Sequence, residues 1–175
     1  LNPRQKMTRT IRTLLTNTGA YETETYTLVG QRQVDDAIMG LSPVVELASP
    51  MSEDRKYVRN TLLPSMLDTL AYNQNRSAKD LSLFEMSNVY GKDQVAQHLG
   101  IVMAGSLQKS RVHKIDIKSN FYTLKGIVES VLATFGFEGT RIKVKENTID
   151  SVSSPWDNES LNKFMVTTEY NINEL

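Results

Sequence analysis

Few residues of this chain have types and spacing that could do chemistry at neutral pH. Histidine is the only side chain whose ordinary pKa lies near neutrality, and the chain has two, His98 and His113. Neither is paired with a nucleophile or a second metal ligand at a fixed spacing, so we expect surface or strand-end histidines. Cysteine is absent, which excludes disulfides, thiolate metal sites and cysteine nucleophiles.

The carboxylates do not form a chelating pattern. Asp35-Asp36 and Glu53-Asp54 are adjacent pairs, and neighbouring side chains diverge on a helix and point to opposite faces of a strand. We therefore expect solvated surface charge at both pairs. Neither a metal site nor a cofactor site is predicted.

Arg59 is the strongest candidate for a binding residue, because it precedes Leu62-Leu63-Pro64, where a helix should begin. An arginine there can bind a phosphate or carboxylate through two parallel hydrogen bonds. It can also hold a sheet edge through an ion pair with Glu85, and the physical argument favours this structural role. Gly126, beside Lys125 in a second predicted helix, costs about 1 kcal/mol of helix stability, so we expect another backbone to approach it closely.

The composition is that of an ordinary globular domain. The chain has 175 residues, of which 39% are hydrophobic, with 20 basic and 20 acidic side chains. One domain suits this length, and zero net charge disfavours a general nucleic-acid binder. No apolar run approaches the ~20 residues of a membrane helix. Since the chain starts at Leu1 without an initiator Met or a signal segment, we expect a fragment excised from a longer protein. The lack of cysteine makes the reducing cytoplasm the expected compartment.

Hydrophobic periodicity predicts an α+β domain with a mostly antiparallel sheet. The helix at 62–74 should bury Leu63, Met66, Leu67 and Leu70. The helix at 120–135, capped by Ser119, should bury Phe121, Leu124, Val128, Val131, Leu132 and Phe135. Two further helices are predicted at 4–18 and 31–39, and strands are predicted at 21–29, 44–48, 80–90, 98–104, 141–145 and 164–170.

Several segments together resemble a known family. They are the opening helix Arg9–Ala20 with the strand after it, and the stretches at 45–52, 58–67, 83–90 and 120–129. Asn73 and Arg76 fit the same pattern between them. In this order and spacing, over roughly residues 7–136, the chain resembles the beta subunit of bacterial phenylalanyl-tRNA synthetase.

The resemblance implies a class II synthetase fold, an antiparallel sheet flanked by helices, as one domain over 1–175. It implies a non-catalytic domain that packs against the alpha subunit in an (αβ)2 heterotetramer and supports attachment of phenylalanine to tRNA(Phe). ATP and magnesium would serve the whole complex, with no cofactor in this fragment, and tRNA(Phe) would bind mainly through other domains. Five family-motif residues would be structural: Arg59, Pro64, Glu85, Lys125 and Gly126.

The resemblance also implies that the fragment alone is inactive. Class II catalysis uses arginines of its second motif to hold ATP and the adenylate, and Asn88 and Gly91 occupy those positions here. Neither residue can make charge-assisted contacts to phosphate. The likeness breaks down near the C-terminus, where family segments are absent and residues are expected to be missing around 146–163.

Two other functions remain open at this point. The first is a free-standing class II synthetase-like paralogue that binds another small ligand in the old cleft. An open pocket faced by Arg59 would favour it, whereas a filled cleft would favour the assembly domain. The second is an independent RNA-binding domain, which zero net charge disfavours.

Overall fold

The computed structural model describes residues 1–37 and 40–136 with their side chains, and the backbone of 165–171. Within these ranges, helices surround a four-stranded sheet, with two smaller sheets beside it. The predicted α+β class is confirmed. The expected strand at 141–145 and the expected gap around 146–163 lie outside the described residues.

Helix α1 (Pro3–Asn17) begins at a strong sequence signal. The Asn2 side chain accepts a hydrogen bond from the Gln5 backbone N–H, and the Gln5 side chain accepts a hydrogen bond from the Asn2 backbone N–H. Each side chain thus satisfies a backbone donor that the helix would leave unpaired. Ile11 and Leu15 are buried on the inner face. The chain leaves the helix through Gly19, whose φ of +89° suits glycine.

The central sheet has the order β1-β5-β6-β9. Its strands are β1 (Tyr21–Glu22), β5 (Leu81–Gly91), β6 (Gln94–Ala104) and β9 (Met165–Asn171). Strand β1 is parallel to β5, and the other pairs are antiparallel. The long β5–β6 hairpin, with Leu83 opposite Val102, forms the centre of the domain.

The prediction of one continuous strand over 21–29 is wrong. Its start, β1, adds to the central sheet, whereas its end, β2 (Leu28–Val29), joins β4 (Tyr57–Val58) and β3 (Val45–Glu46) in a separate antiparallel sheet. Between β1 and β2 the backbone stops pairing with β5 and starts pairing with the β4 side. Thr23 N–H still donates to the Phe84 carbonyl, whereas the Thr27 carbonyl accepts from Arg59 N–H. The short α2 (Gln31–Asp35) and a 3₁₀ turn (Glu53–Arg55) complete this region.

Helix α3 (Leu63–Gln74) packs on one face of the central sheet, with Pro64 in its first turn as expected. Leu62, Met66 and Leu70 are completely buried at a spacing of four residues. Leu63 and Leu67 are partly buried and pack against the same core, so the expectation is met only in part for these two residues. The stripe that meets the sheet is rotated from the predicted one, because it runs i, i+4, i+8 from Leu62.

Helix α4 (Phe121–Thr134) packs beside α1 on the opposite face of the sheet. Asn120 caps it, not Ser119 as predicted, since the Asn120 side chain accepts from the backbones of Tyr122 and Thr123. Phe121 is largely exposed, which corrects its expected burial, and Ile127 is buried instead. Before α4 comes a hairpin that the sequence did not predict, β7 (Ser106–Ser110) and β8 (Ile115–Lys118).

Two hydrophobic cores lie on the two faces of the sheet. The first contains side chains of α1 and α4 packed on Phe84, Leu99, Ile101 and Met103. The second contains Leu62, Met66 and Leu70 packed on Leu83, Val89, Val102 and Ala104. Both faces of the β5–β6 hairpin are therefore covered by helices.

Candidate functional site

Arg59 and Glu85 form a buried polar cluster at the junction of the two larger sheets. Arg59 Nη1 lies 2.8 Å from Glu85 Oε1, and the two side chains are 3% and 2% exposed. Arg59 also donates to the carbonyl of Asn88 through Nε and to Thr25 through Nη1. The Thr25 hydroxyl donates to the other Glu85 oxygen at 2.8 Å.

This geometry fits the structural alternative for Arg59. Its backbone N–H donates to Thr27, and its carbonyl accepts from Tyr90 N–H, so one residue joins the 25–27 segment to β5. Charge-assisted hydrogen bonds satisfy the buried guanidinium and carboxylate. The guanidinium is therefore occupied by protein partners rather than presented to a ligand.

An open cavity of about 740 Å³ lies beside this cluster. Its wall includes Thr25 but not Arg59. Four carboxylates face it, those of Glu24, Glu53, Asp54 and Asp68, against two arginines. Such a lining repels the triphosphate of ATP.

Both arginines of the cavity are engaged by neighbouring groups. Arg32 binds both carboxylate oxygens of Asp68, at 2.6 and 2.8 Å, and pairs with Asp36. Arg55 donates to the carbonyl of Leu28 and lies 4.2 Å above the Tyr26 ring. Arg59 does not face this cavity, and both of its arginines are bound to protein groups. The cavity therefore does not favour the alternative of a paralogue that binds another small ligand in the old cleft.

Asn88 and Gly91 lie near the end of β5, where the resemblance places catalytic arginines. Asn88 is exposed, and its carbonyl accepts the Arg59 hydrogen bond. Gly91 is buried, and a Cβ there would lie 3.0 Å from the Gln94 side chain and 3.3 Å from Leu41. A long side chain at position 91 would displace these neighbours.

The sheet face that carries this cluster is also filled by α3. A Cβ on Gly100 would lie 2.6 Å from the sulfur of Met66 and 3.4 Å from Leu62. The helix therefore approaches the strand as closely as glycine permits. Between α3 and Gly100, therefore, no space remains for a ligand.

Two groups expected at the surface are in fact buried. His98 is 8% exposed because β6 lies between β5 and β9. Asp36 is 7% exposed and pairs with Arg32 at 3.3 Å. Their sequence neighbours gave no signal of this, since burial depends on partners distant in the chain. His113, as expected, is exposed.

Lys125 and Glu129 form an exposed ion pair at 3.5 Å on α4. The expected close approach at Gly126 is absent from the described residues, because a Cβ there would meet nothing within 4 Å. Over the same residues, no group of three or more potential ligands could hold a metal ion. Nor is any helix in the described ranges long and apolar enough to span a bilayer.

Solved structures show the class of fold. The chain superposes on a pyrrolysyl-tRNA synthetase from Desulfitobacterium hafniense with a TM-score of 0.67 at 15% identity, covering 97% of this chain and 64% of that chain. A second structure of that protein gives a TM-score of 0.66 at 16% identity, with coverage of 97% and 67%. The fold is thus that of class II aminoacyl-tRNA synthetases.

Sequence comparison identifies the family within that class. The model described as the phenylalanyl tRNA synthetase beta chain CLM domain matches residues 1–154, and the chain belongs to this family. It is 33% identical over 147 residues to the phenylalanine--tRNA ligase beta subunit of Onion yellows phytoplasma, covering 84% of this chain and 18% of that protein. The Symbiobacterium thermophilum subunit is 38% identical over 103 residues, with coverage of 55% and 12%. The chain spans less than a fifth of these relatives.

Proposed function

We propose that this chain is a non-catalytic structural and subunit-assembly domain of a phenylalanine-tRNA ligase beta subunit. The alpha subunit would attach phenylalanine to tRNA(Phe), using ATP and magnesium, within an (αβ)2 complex. The observation that carries the proposal is the internal use of Arg59. In a domain that bound phosphate here, the guanidinium would face the ligand. In this chain the Arg59 guanidinium is instead paired with Glu85.

Three further features support an inactive domain. Asn88 and Gly91 stand at the arginine positions, α3 fills the sheet face, and carboxylates dominate the neighbouring cavity. Each opposes the binding of a polyphosphate. Together they support scaffolding and contact with a catalytic subunit as the proposed role of this domain.

The surface proposed to meet the alpha subunit is the outer side of α1. Ile11 and Leu15 face the core, whereas Thr10 and Thr13 are exposed. Met7 packs partly on the core, and Tyr21, just after the helix, is 66% exposed. Exposed apolar area of this kind tends to bind a partner.

The assembly test changes charge on this surface. We expect Thr10→Glu with Thr13→Glu to weaken association of the full beta subunit with the alpha subunit, measured by size-exclusion chromatography. Stability should change little, because Lys6 and Arg9 lie four residues before the new carboxylates. Lys92→Glu at the exposed β5–β6 turn is the control, since it makes the same change of net charge. Equal association of both variants and the parent would assign the contact to another surface.

A further inference from the structure

Positive charge is concentrated in one part of this neutral chain. Between Gly105 and Lys125 there are five basic residues and a single acidic one, Asp116. This stretch contains the β7–β8 hairpin and the first turn of α4. The chain as a whole has no net charge, but this region is distinctly basic.

The cations at the hairpin tip are available to a partner. Asp116 lies opposite Lys109 in the β7–β8 register. Its carboxylate is engaged by residues at the base of the hairpin, since it accepts hydrogen bonds from Lys118, at 2.8 Å, and from the Ser106 hydroxyl, at 2.7 Å. These contacts, above all the one from Lys118, lower the pKa of Asp116. Lys109, Arg111 and Lys114 are exposed, and within the described part of the chain none of them makes an ion pair.

An exposed aromatic pair adjoins the base of the hairpin. Phe121 and Tyr122 are 46% and 79% exposed, with ring centroids 5.5 Å apart. Their position is fixed to the hairpin, because Ser119 N–H donates to the Gly105 carbonyl and the Thr123 hydroxyl donates to the Lys118 carbonyl. Two adjoining exposed rings form an apolar patch that a partner can contact.

We propose that the β7–β8 hairpin and Tyr122 together bind a single-stranded segment of RNA. Lysine and arginine at the hairpin would contact successive phosphates, and an unstacked base would lie on the Tyr122 ring. Aromatic rings also occur at protein interfaces, so a contact with the alpha subunit is the competing outcome that the test below distinguishes. The proposal rests on the proposed function in taking the RNA to be the tRNA of the ligase.

The test uses the assembled alpha–beta complex and a tRNA(Phe) transcript, with binding measured by fluorescence anisotropy over a range of salt concentrations. The hairpin variant is Lys109→Glu with Arg111→Glu and Lys114→Glu. We expect its Kd to rise by at least about tenfold, and the slope of log K against log salt to fall by about 0.7 for each lost phosphate contact. Tyr122→Ala should raise the Kd about tenfold without changing the slope.

Matched controls separate a local effect from a general one. Single Lys109→Glu is compared with Lys92→Glu, and Tyr122→Ala with Tyr72→Ala, another exposed tyrosine. If Lys109→Glu and Lys92→Glu bind tRNA equally, or Tyr122→Ala binds as the parent does, the proposal is overturned. It is also overturned if the hairpin variants instead lose the alpha subunit in size-exclusion chromatography, since the hairpin is then a protein contact. Failure of the parent beta subunit to assemble at all would contradict the proposed function instead.

Discussion

The guanidinium of Arg59 and the carboxylate of Glu85 meet at 2.8 Å in the interior, with almost no exposure of either side chain. Thr25 contacts both partners, and the carbonyl of Asn88 accepts a further hydrogen bond from Arg59. This pair joins the chain before β2 and the residue after β4 to the centre of β5. Arginine is a residue type suited to phosphate binding, but Arg59 is used here to hold parts of the structure together.

Removing one member of the pair should be strongly destabilising. We expect Glu85→Ala to lower the free energy of unfolding by about 3–5 kcal/mol, because the buried Arg59 charge loses its partner. Urea denaturation of the chain measures this. Glu129→Ala, which breaks the exposed pair with Lys125, is the control and should cost at most about 0.5 kcal/mol.

Replacing both members should be much milder. In Arg59→Met with Glu85→Leu no buried charge remains, so we expect most of the stability lost in Glu85→Ala to return. Equal destabilisation by Glu85→Ala and Glu129→Ala would contradict the structural importance of the pair.

Helix α3 should show graded sensitivity to truncation. Leu70→Ala removes a completely buried side chain and should cost about 3–5 kcal/mol, whereas Leu67→Ala, at a half-buried position, should cost about 1–2 kcal/mol. Urea midpoints of the two variants test the order. A larger loss for Leu67→Ala would mean that the sheet-facing stripe has been assigned incorrectly.

Two glycines should respond in opposite ways to the same substitution. Gly100→Ala places a Cβ 2.6 Å from Met66 Sδ and should destabilise the domain by about 1–3 kcal/mol. Gly126→Ala enters open space inside α4 and should stabilise it by about 0.5–1 kcal/mol. Thermal unfolding distinguishes them. Destabilisation by Gly126→Ala in the isolated chain would contradict the open surroundings found there.

The sequence predicted the elements with long, uninterrupted patterns. Helix α1 and strand β5 lie within one or two residues of expectation. The short strands β1 to β4 were harder, since two-residue pairings depend on distant partners such as Phe84 and Arg59 rather than on local pattern. Periodicity predicted the α+β class, and the family motifs supplied the class II synthetase fold within it.

The candidate site was only partly predictable. The possibility of an Arg59–Glu85 pair followed from residue chemistry, but the burial of Asp36 and His98 depends on tertiary packing. The basic hairpin was hidden by zero net charge, because the compensating carboxylates lie elsewhere in the chain. Charge counted by segment, with the exposed Tyr122 beside it, would have drawn attention to this region.

Phenylalanine-dependent exchange of pyrophosphate into ATP tests the central claim most directly. The beta subunit, purified free of alpha subunit, is compared with the assembled complex in the same assay. We expect exchange by the complex and none above background by the beta subunit, because Arg59 is bound to Glu85 and no arginine stands at positions 88 or 91. Robust exchange by the beta subunit alone would contradict a non-catalytic role for this domain.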